Sequence, residues 1–336
     1  MIESAAGPEP VRWPAFSSVT MTLADTPLPA LASGRPLGLS FNPADAEDLF
    51  RGSGHTYREM LALADTGQRL PSFPLAVTMQ GRMRFENLEL SSENVIGVVR
   101  GADPVLADEY IVVSAHLDGY GVGEAVKGDR IYNGAFDDAA YVATLIELAA
   151  RLHDSGQRLK RSVLFCVFTA EERGLLGSQY FMAHPTVPKE RIVANINLDM
   201  LRPIFPLKSL TTIALEDSTL GEVARRVAEP LGIAIKPDAE PDRLLLRRSD
   251  LWNFLQAGIP GLAFVFGYEP GSREEAVYRR WYAERYHSPA DDVKQPWDPA
   301  AAALFNEFFG QLIETIANGP ARPAWRAGST LAQPLR

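Results

Sequence analysis

Apolar residues along this chain follow two regimes, which change near residue 94. Beyond it, short continuous apolar runs alternate with stretches in which apolar positions recur every three or four residues. IVVSA at 111–115, SVLFCVF at 162–168, ANINLDM at 194–200 and GLAFVFG at 261–267 are runs of the first kind, with a further strand expected at 211–215. Helical spacing marks 138–153, 174–183, 219–231, 249–257 and 299–317. Continuous apolar strands are those buried on both faces, so their alternation with helices predicts an α/β domain. Its central sheet should be mixed but mostly parallel, with helices on both faces. The stripe of 301–316 is then core packing. The segment 268–297 is aromatic and charged and is expected as a long loop.

The earlier regime is weaker. Residues 17–25 and 36–42 alternate like strands, and 43–66 read as two short helices split by GSGH. LAVTMQGRMRF and NVIGVVR, within 73–100, are two more strand-like stretches. Without a convincing core of its own, 1–93 is expected to be a small N-terminal appendage. The main domain is expected over 94–320, and 321–336 as a C-terminal tail.

Composition narrows the class. A chain of 336 residues, 46% hydrophobic, is long enough for one large α/β domain with an attachment. Its 33 basic and 42 acidic residues give a net charge of −9 with no basic block, which argues against a nucleic-acid partner. No apolar run approaches the ~20 residues of a membrane span. The single cysteine, Cys166, lies inside an apolar strand pattern and permits neither an internal disulfide nor a cysteine-based zinc knuckle. The start, MIESAAGPEPVRWPAF, lacks the pattern of a secretory signal. A trimmed signal would leave the same appearance, so the compartment stays open, as does the oligomeric state.

The candidate chemistry sits where the apolar runs stop. IVVSA runs into His116-Leu117-Asp118, SVLFCVF into Thr169-Ala170-Glu171-Glu172, and ANINL into Asp199. Ligands of open α/β sheets gather at the carboxyl ends of strands, and such side chains are costly to bury unless paired or bound to metal. Asp137-Asp138 precedes a helix, where one of the two could act as its cap. His287 closes the long segment. Two His, three Asp and two Glu without thiolate suit zinc, manganese or cobalt in a hydrolytic site. The set exceeds what one tetrahedral ion needs and suggests two metals sharing a carboxylate. His116 and Asp118 are two apart on a strand, so Asp118 can hold the far ring nitrogen of His116. Glu171 and Glu172 point different ways, one towards metal and the other as a general base.

AHLD, NGAFDDAA, TAEERGLLGSQYF, NLDM and YHSPADD, in this order over roughly 95–317, resemble the zinc metallopeptidase family M28, the bacterial aminopeptidase and glutamate-carboxypeptidase group. The resemblance implies two Zn²⁺ per chain, with Mn²⁺ or Co²⁺ as substitutes. It implies His116 and Asp199 on one metal, Glu172 and His287 on the other, and Asp137 as the bridge. Glu171 matches the general base and Asp118 the aspartate supporting His116, and a cis peptide is implied between Asp137 and Asp138. The implied activity is hydrolysis of a terminal amide bond in a peptide or amino-acid amide, foremost as an aminopeptidase. Alternatives are a carboxypeptidase of the same family, a single-zinc glutaminyl cyclase, or a non-catalytic relative, which would need lost ligands.

Departures touch substrate contacts rather than metal. Ala140-Tyr141 stand where the family has Ser-Gly, and Ser249-Asp250-Leu251 where it often has Ser-Asp-His. Tyr141, Asp250 and Tyr286 are therefore the candidate substrate contacts. Arg247, Arg248, Arg273, Arg279 and Arg280 are either carboxylate binders or solvated charge. Trp281, Tyr282 and Tyr286 either line a pocket or anchor the segment that carries them.

Overall fold

The computed structural model describes residues 21–24, 41–80, 88–156 and 158–332. The chain divides into two compact units, Met1–Leu90 and Ser91–Arg336. In the first, helix α1 (Glu47–Phe50) and helix α2 (Tyr57–Asp65) form as the pattern predicts. Thr56 caps α2 in a reciprocal box with Glu59, and the Glu47 carboxylate accepts the Tyr57 and Arg58 amides at 3.0 and 3.1 Å. These bonds satisfy donors that a helix start leaves open. Residues 75–80 of LAVTMQGRMRF contain no strand, while 81–87, the 17–20 and 25 ends of the first alternating stretch, and 36–40 lie outside the described residues.

The second unit holds the elements that position the chemistry. In chain order they are β1 (Val95–Val99), β2 (Tyr110–His116), β3 (Gly121–Val126), β4 (Asp129–Tyr132), α3 (Ala140–Asp154), β5 (Ser162–Phe168), α4 (Leu176–Ala183), β6 (Ile192–Asn197), β7 (Ser209–Ile213), α5 (Leu220–Ala228), β8 (Ala234–Pro237), α6 (Leu251–Gln256), β9 (Gly261–Phe266), α7 (Arg273–Glu284) and α8 (Pro299–Asn318). Seven strands form one sheet in the order β1-β5-β2-β6-β9-β7-β8, and β3-β4 form a separate hairpin. The central neighbours β5, β2, β6 and β9 are mutually parallel; β1 and β7 pair antiparallel with β5 and β9.

Alternation along β2 shows why the sheet is covered twice. Ile111, Val113 and Ala115 join a core with Leu145 and Leu148 of α3 and Phe308 of α8. Tyr110 and Val112 join another with Phe181 of α4 and Phe254 of α6. Successive side chains of a strand point to opposite faces, so these are its two sides.

The segment 268–297 differs from expectation, since residues Arg273–Glu284 form α7. Ser272 caps it by accepting the Glu275 amide, and Tyr278, Trp281 and Tyr282 bury one face at helical spacing. What they enclose is Arg202, which is fully buried. Its guanidinium lies 4.3 Å from the ring centroids of Tyr278 and Tyr282 and 5.2 Å from that of Trp281, and it donates to the Tyr278 hydroxyl at 2.8 Å. Arg243 donates to the same hydroxyl at 2.9 Å. Cation–π attraction strengthens when desolvated. Replacing Arg202 by Ala should cost about 3–5 kcal/mol through the cavity and the lost cage. A urea titration checks this, and a loss within about 0.5 kcal/mol, as at ordinary surface sites, would deny the cage its role.

The expected tail is tied into the same unit. Trp325 bridges Ser218 and donates its indole N–H to the Gly258 carbonyl at 2.9 Å, and Arg322 donates to the Glu190 carbonyl at 2.6 Å.

Candidate metal and catalytic site

Because β5, β2 and β6 are adjacent and parallel, their carboxyl ends bring His116, Glu171-Glu172 and Asp199 to one rim. His116 is the last residue of β2 and is 1% exposed. Its Nδ1 meets the Asp118 backbone carbonyl at 3.0 Å, which turns Nε2 towards Asp137 Oδ1 at 3.2 Å. The Asp118 carboxylate is used differently from the expectation. It accepts the amides of Glu171 and Glu172 at 2.9 and 3.2 Å and stands 3.7 Å from the imidazole. Asp118 thus couples two strand ends, with its carbonyl orienting the ring and its side chain fixing the Glu-Glu turn.

Asp137 lies in the tight turn before α3, with the peptide to Asp138 cis. Gly134 opens this turn at φ 64°, and a Cβ there would come within 2.4 Å of the Asp137 carbonyl oxygen, so only glycine fits. The turn is held by Asp291, whose carboxylate accepts the Phe136 and Asp137 amides at 3.0 and 3.1 Å. Neither aspartate caps α3. Asp138 accepts the His116 amide at 3.0 Å, and Asp137 Oδ2 lies 3.2 Å from His287 Nε2. His287 Nε2 is also 3.4 Å from Glu172 Oε2. The ring of His287, at φ 48°, stacks on Tyr286 at 3.5 Å and meets Tyr120 at 4.3 Å.

The two oxygens of Asp137 therefore face two histidines. Two groups of ligand atoms result, His116-Asp137-Asp199 and Asp137-Glu172-His287, each within 4.8 Å and sharing Asp137. The donors are imidazole and carboxylate, and the buried Glu172 Oε1 has no hydrogen-bond partner. A buried acceptor left open is costly, and a divalent cation would relieve that cost. The residues fit two such ions. Glu171, 8% exposed, lies beside both groups and belongs to neither.

Burial raises the carboxyl of Glu171 well above its usual range, and the charge of Asp199 adds to it. Burial likewise raises Glu172 and Asp138, and pushes Asp199 up to about 6. Burial opposes ionisation of Asp137 too, but hydrogen bonds from His116 and His287 overcome it and hold Asp137 low. A carboxyl raised in the fold keeps its proton there while the unfolded chain, near 3.8 for Asp, has lost it. Without cations, stability should therefore fall as pH rises from about 4 through the folded values of Asp199, about 6, and Asp250, about 7. Urea midpoints in chelator at two pH values bounding that window test the sign; a higher midpoint at the upper pH contradicts it. Asp250→Asn should flatten the slope.

Two candidate substrate contacts need correction. Tyr141 is buried at 4% exposure in the core, where its hydroxyl accepts the Arg202 amide at 2.6 Å. Asp250 is 1% exposed and bonded to Ser178 behind the site. Neither lines the cavity of about 260 Å³ at the metal-ligand groups; Tyr286, Tyr282, Arg247 and Arg248 do. Asp291 and Tyr120 were not singled out in the sequence, although YHSPADD contains the first.

The model of Peptidase family M28 matches residues 94–313. Aminopeptidase YwaD of Bacillus subtilis (strain 168) is 26% identical over 211 residues, 61% of this chain and 40% of that protein. Carboxypeptidase Q of Xenopus laevis is 27% identical over 203 residues, 59% of this chain and 39% of that protein. The chain thus spans about two fifths of the length of these relatives. Among solved structures, a Peptidase M28 precursor from Shewanella amazonensis SB2B aligns with TM-score 0.52 at 23% identity, covering 70% of this chain and 46% of that one.

Proposed function

This chain belongs to peptidase family M28, and from that premise we propose that it is a dizinc exopeptidase that hydrolyses the amino-terminal bond of a peptide or amino-acid amide. The observation that carries the reading is the pair of ligand groups joined at Asp137, with a buried non-ligand acid, Glu171, beside them. His116, Asp137 and Asp199 would hold one ion, and Asp137, Glu172 and His287 the other. Zinc bound there would supply Lewis acidity and a water activated near neutral pH. Glu171 accepts the proton of the attacking water and hands it to the leaving amine. Burial, which raises its carboxyl, makes Glu171 a stronger proton acceptor than an exposed glutamate, as this task requires. Asp118 keeps Glu171 and Glu172 aimed apart by holding both backbone amides. Tyr286 and Tyr120 both pack against the His287 ring and restrict its orientation.

The test is hydrolysis of aminoacyl-nitroanilides and of amino-blocked dipeptides, with chelator and with added zinc. Free-amine substrates should be cleaved, chelator should abolish cleavage, and zinc should restore it. Cleavage of blocked dipeptides alone would reverse the direction to carboxypeptidase. One zinc per chain with cyclisation of an N-terminal glutamine would replace the reading by a cyclase. Cleavage indifferent to chelator would reject the metal chemistry.

A further inference from the structure

The shared ligand Asp137 is presented by a turn, and the bonds that hold that turn reach well beyond it. Asp291 accepts the Phe136 and Asp137 amides with its carboxylate, and the Ala135 amide at 3.1 Å with its backbone carbonyl. Gln295 in turn donates its side-chain amide to Asp291 Oδ1. The side-chain carbonyl of Gln295 accepts the indole N–H of Trp281 at 2.7 Å. Trp281 belongs to α7 and forms one wall of the Arg202 cage, and its ring lies 6.4 Å from that of Phe136. Trp281, Gln295 and Asp291 are all buried.

The chemistry of these groups fixes the direction of the relay. An indole N–H only donates and a carboxylate only accepts, so a side chain between them must carry both an acceptor and a donor. The carboxamide of Gln295 carries both, and its two partners allow it only one orientation. Without it, the indole would lack an acceptor and Asp291 would lack a donor, both away from water. Rotation of the Asp291 carboxylate would relieve that cost, but it would shift the Phe136 and Asp137 amides. The Asp137 carboxylate, which faces His116 and His287 at 3.2 Å, would move with them. We propose that Gln295 is a positioning residue for the metal centre: held by Trp281 on one side and holding Asp291 on the other, it keeps the Asp137 carboxylate where it serves both ligand groups. Groups that orient a metal ligand without touching the metal typically alter affinity or activity by about 10- to 100-fold. The proposal rests on the dizinc reading and concerns zinc binding, not the choice of substrate.

Two variants of the full chain test it. Gln295→Met keeps the length of the side chain and removes both bonds. Trp281→Phe keeps a ring against Arg202 and removes only the outer bond. Competition with a chromophoric zinc chelator gives both zinc dissociation constants, while circular dichroism and urea titration in chelator check the fold of each variant. Zinc binding should weaken on the order of tenfold at both ions in Gln295→Met, and less but in the same direction in Trp281→Phe. Should Gln295→Met fail to fold, Trp281→Phe decides alone. A purely structural role would lower the urea midpoint and leave the zinc constants of the folded chain unchanged. Constants within about twofold of wild type, or a weakening confined to one ion, overturn the proposal. Hydrolysis of aminoacyl-nitroanilides by the wild type separates this outcome from the exopeptidase reading. Wild-type hydrolysis with unaltered zinc constants in the variants overturns the positioning role and leaves the exopeptidase standing. Two zincs that Gln295→Met weakens, with no hydrolysis by the wild type, keep the positioning role and remove the exopeptidase. A wild-type chain that binds no zinc overturns both.

Discussion

Glu171→Gln should retain its zinc and its thermal stability while kcat falls by a factor on the order of 10²–10⁴. The change removes one ionisable oxygen and keeps the shape. Glu171 belongs to neither ligand group, so metal content should hold at the wild-type value. Its backbone amide, which Asp118 holds at 2.9 Å, is untouched by the substitution. What is lost is a proton acceptor, and the neighbouring acids outside the ligand groups are already engaged: Asp138 by the His116 amide, Asp118 by the Glu171 and Glu172 amides, Asp250 by Ser178 and Asp291 by the Phe136 and Asp137 amides. The acid limb of the kcat profile should vanish with it. Metal analysis by plasma mass spectrometry and kcat at saturating substrate decide the matter. A kcat within threefold of wild type would remove Glu171 from the mechanism.

Asp137→Ala should release both ions together, taking zinc from about two per chain to near none. One oxygen of this carboxylate faces His116 and the other faces His287, each at 3.2 Å, so neither group keeps three ligands without it. His287→Ala, which touches one group only, should leave one ion. Metal that binds only the folded chain stabilises it by mass action, so the melting temperature of Asp137→Ala should drop to that of chelated wild type and stop responding to zinc. Two zincs retained in Asp137→Ala would contradict the shared ligand.

The sequence pattern revealed what burial dictates and missed what partial exposure blurs. β2, β5, β6 and β9 were readable because both faces are covered, which forces unbroken apolar runs. The hairpin β3-β4 escaped because Gly121–Val126 is half open to solvent and carries two glycines. The helix α7 was read as loop because its twelve residues hold six charges, and three aromatics close on an arginine, Arg202, that is remote in the sequence. The residues that gather into the two candidate ligand groups could be read because each directly follows an apolar run or sits in a motif of the family. Tyr141 and Asp250 were misjudged for a related reason. Proximity in sequence to a ligand does not say whether a side chain faces the cavity or the core, and here both turn inward. The cavity wall as a whole was beyond reach, since Met200, Ile213, Arg247, Ser249 and Tyr286 come from four segments whose meeting depends on the whole sheet.

The scatter of the ligand groups along the chain has a consequence for synthesis. Asp137 is translated 150 positions before His287, and the second ligand group does not exist until the segment after α7 has left the ribosome and folded against the finished sheet rim. A half-made polypeptide therefore lacks the second group, and the cation proposed for it could be held only once that late segment has docked.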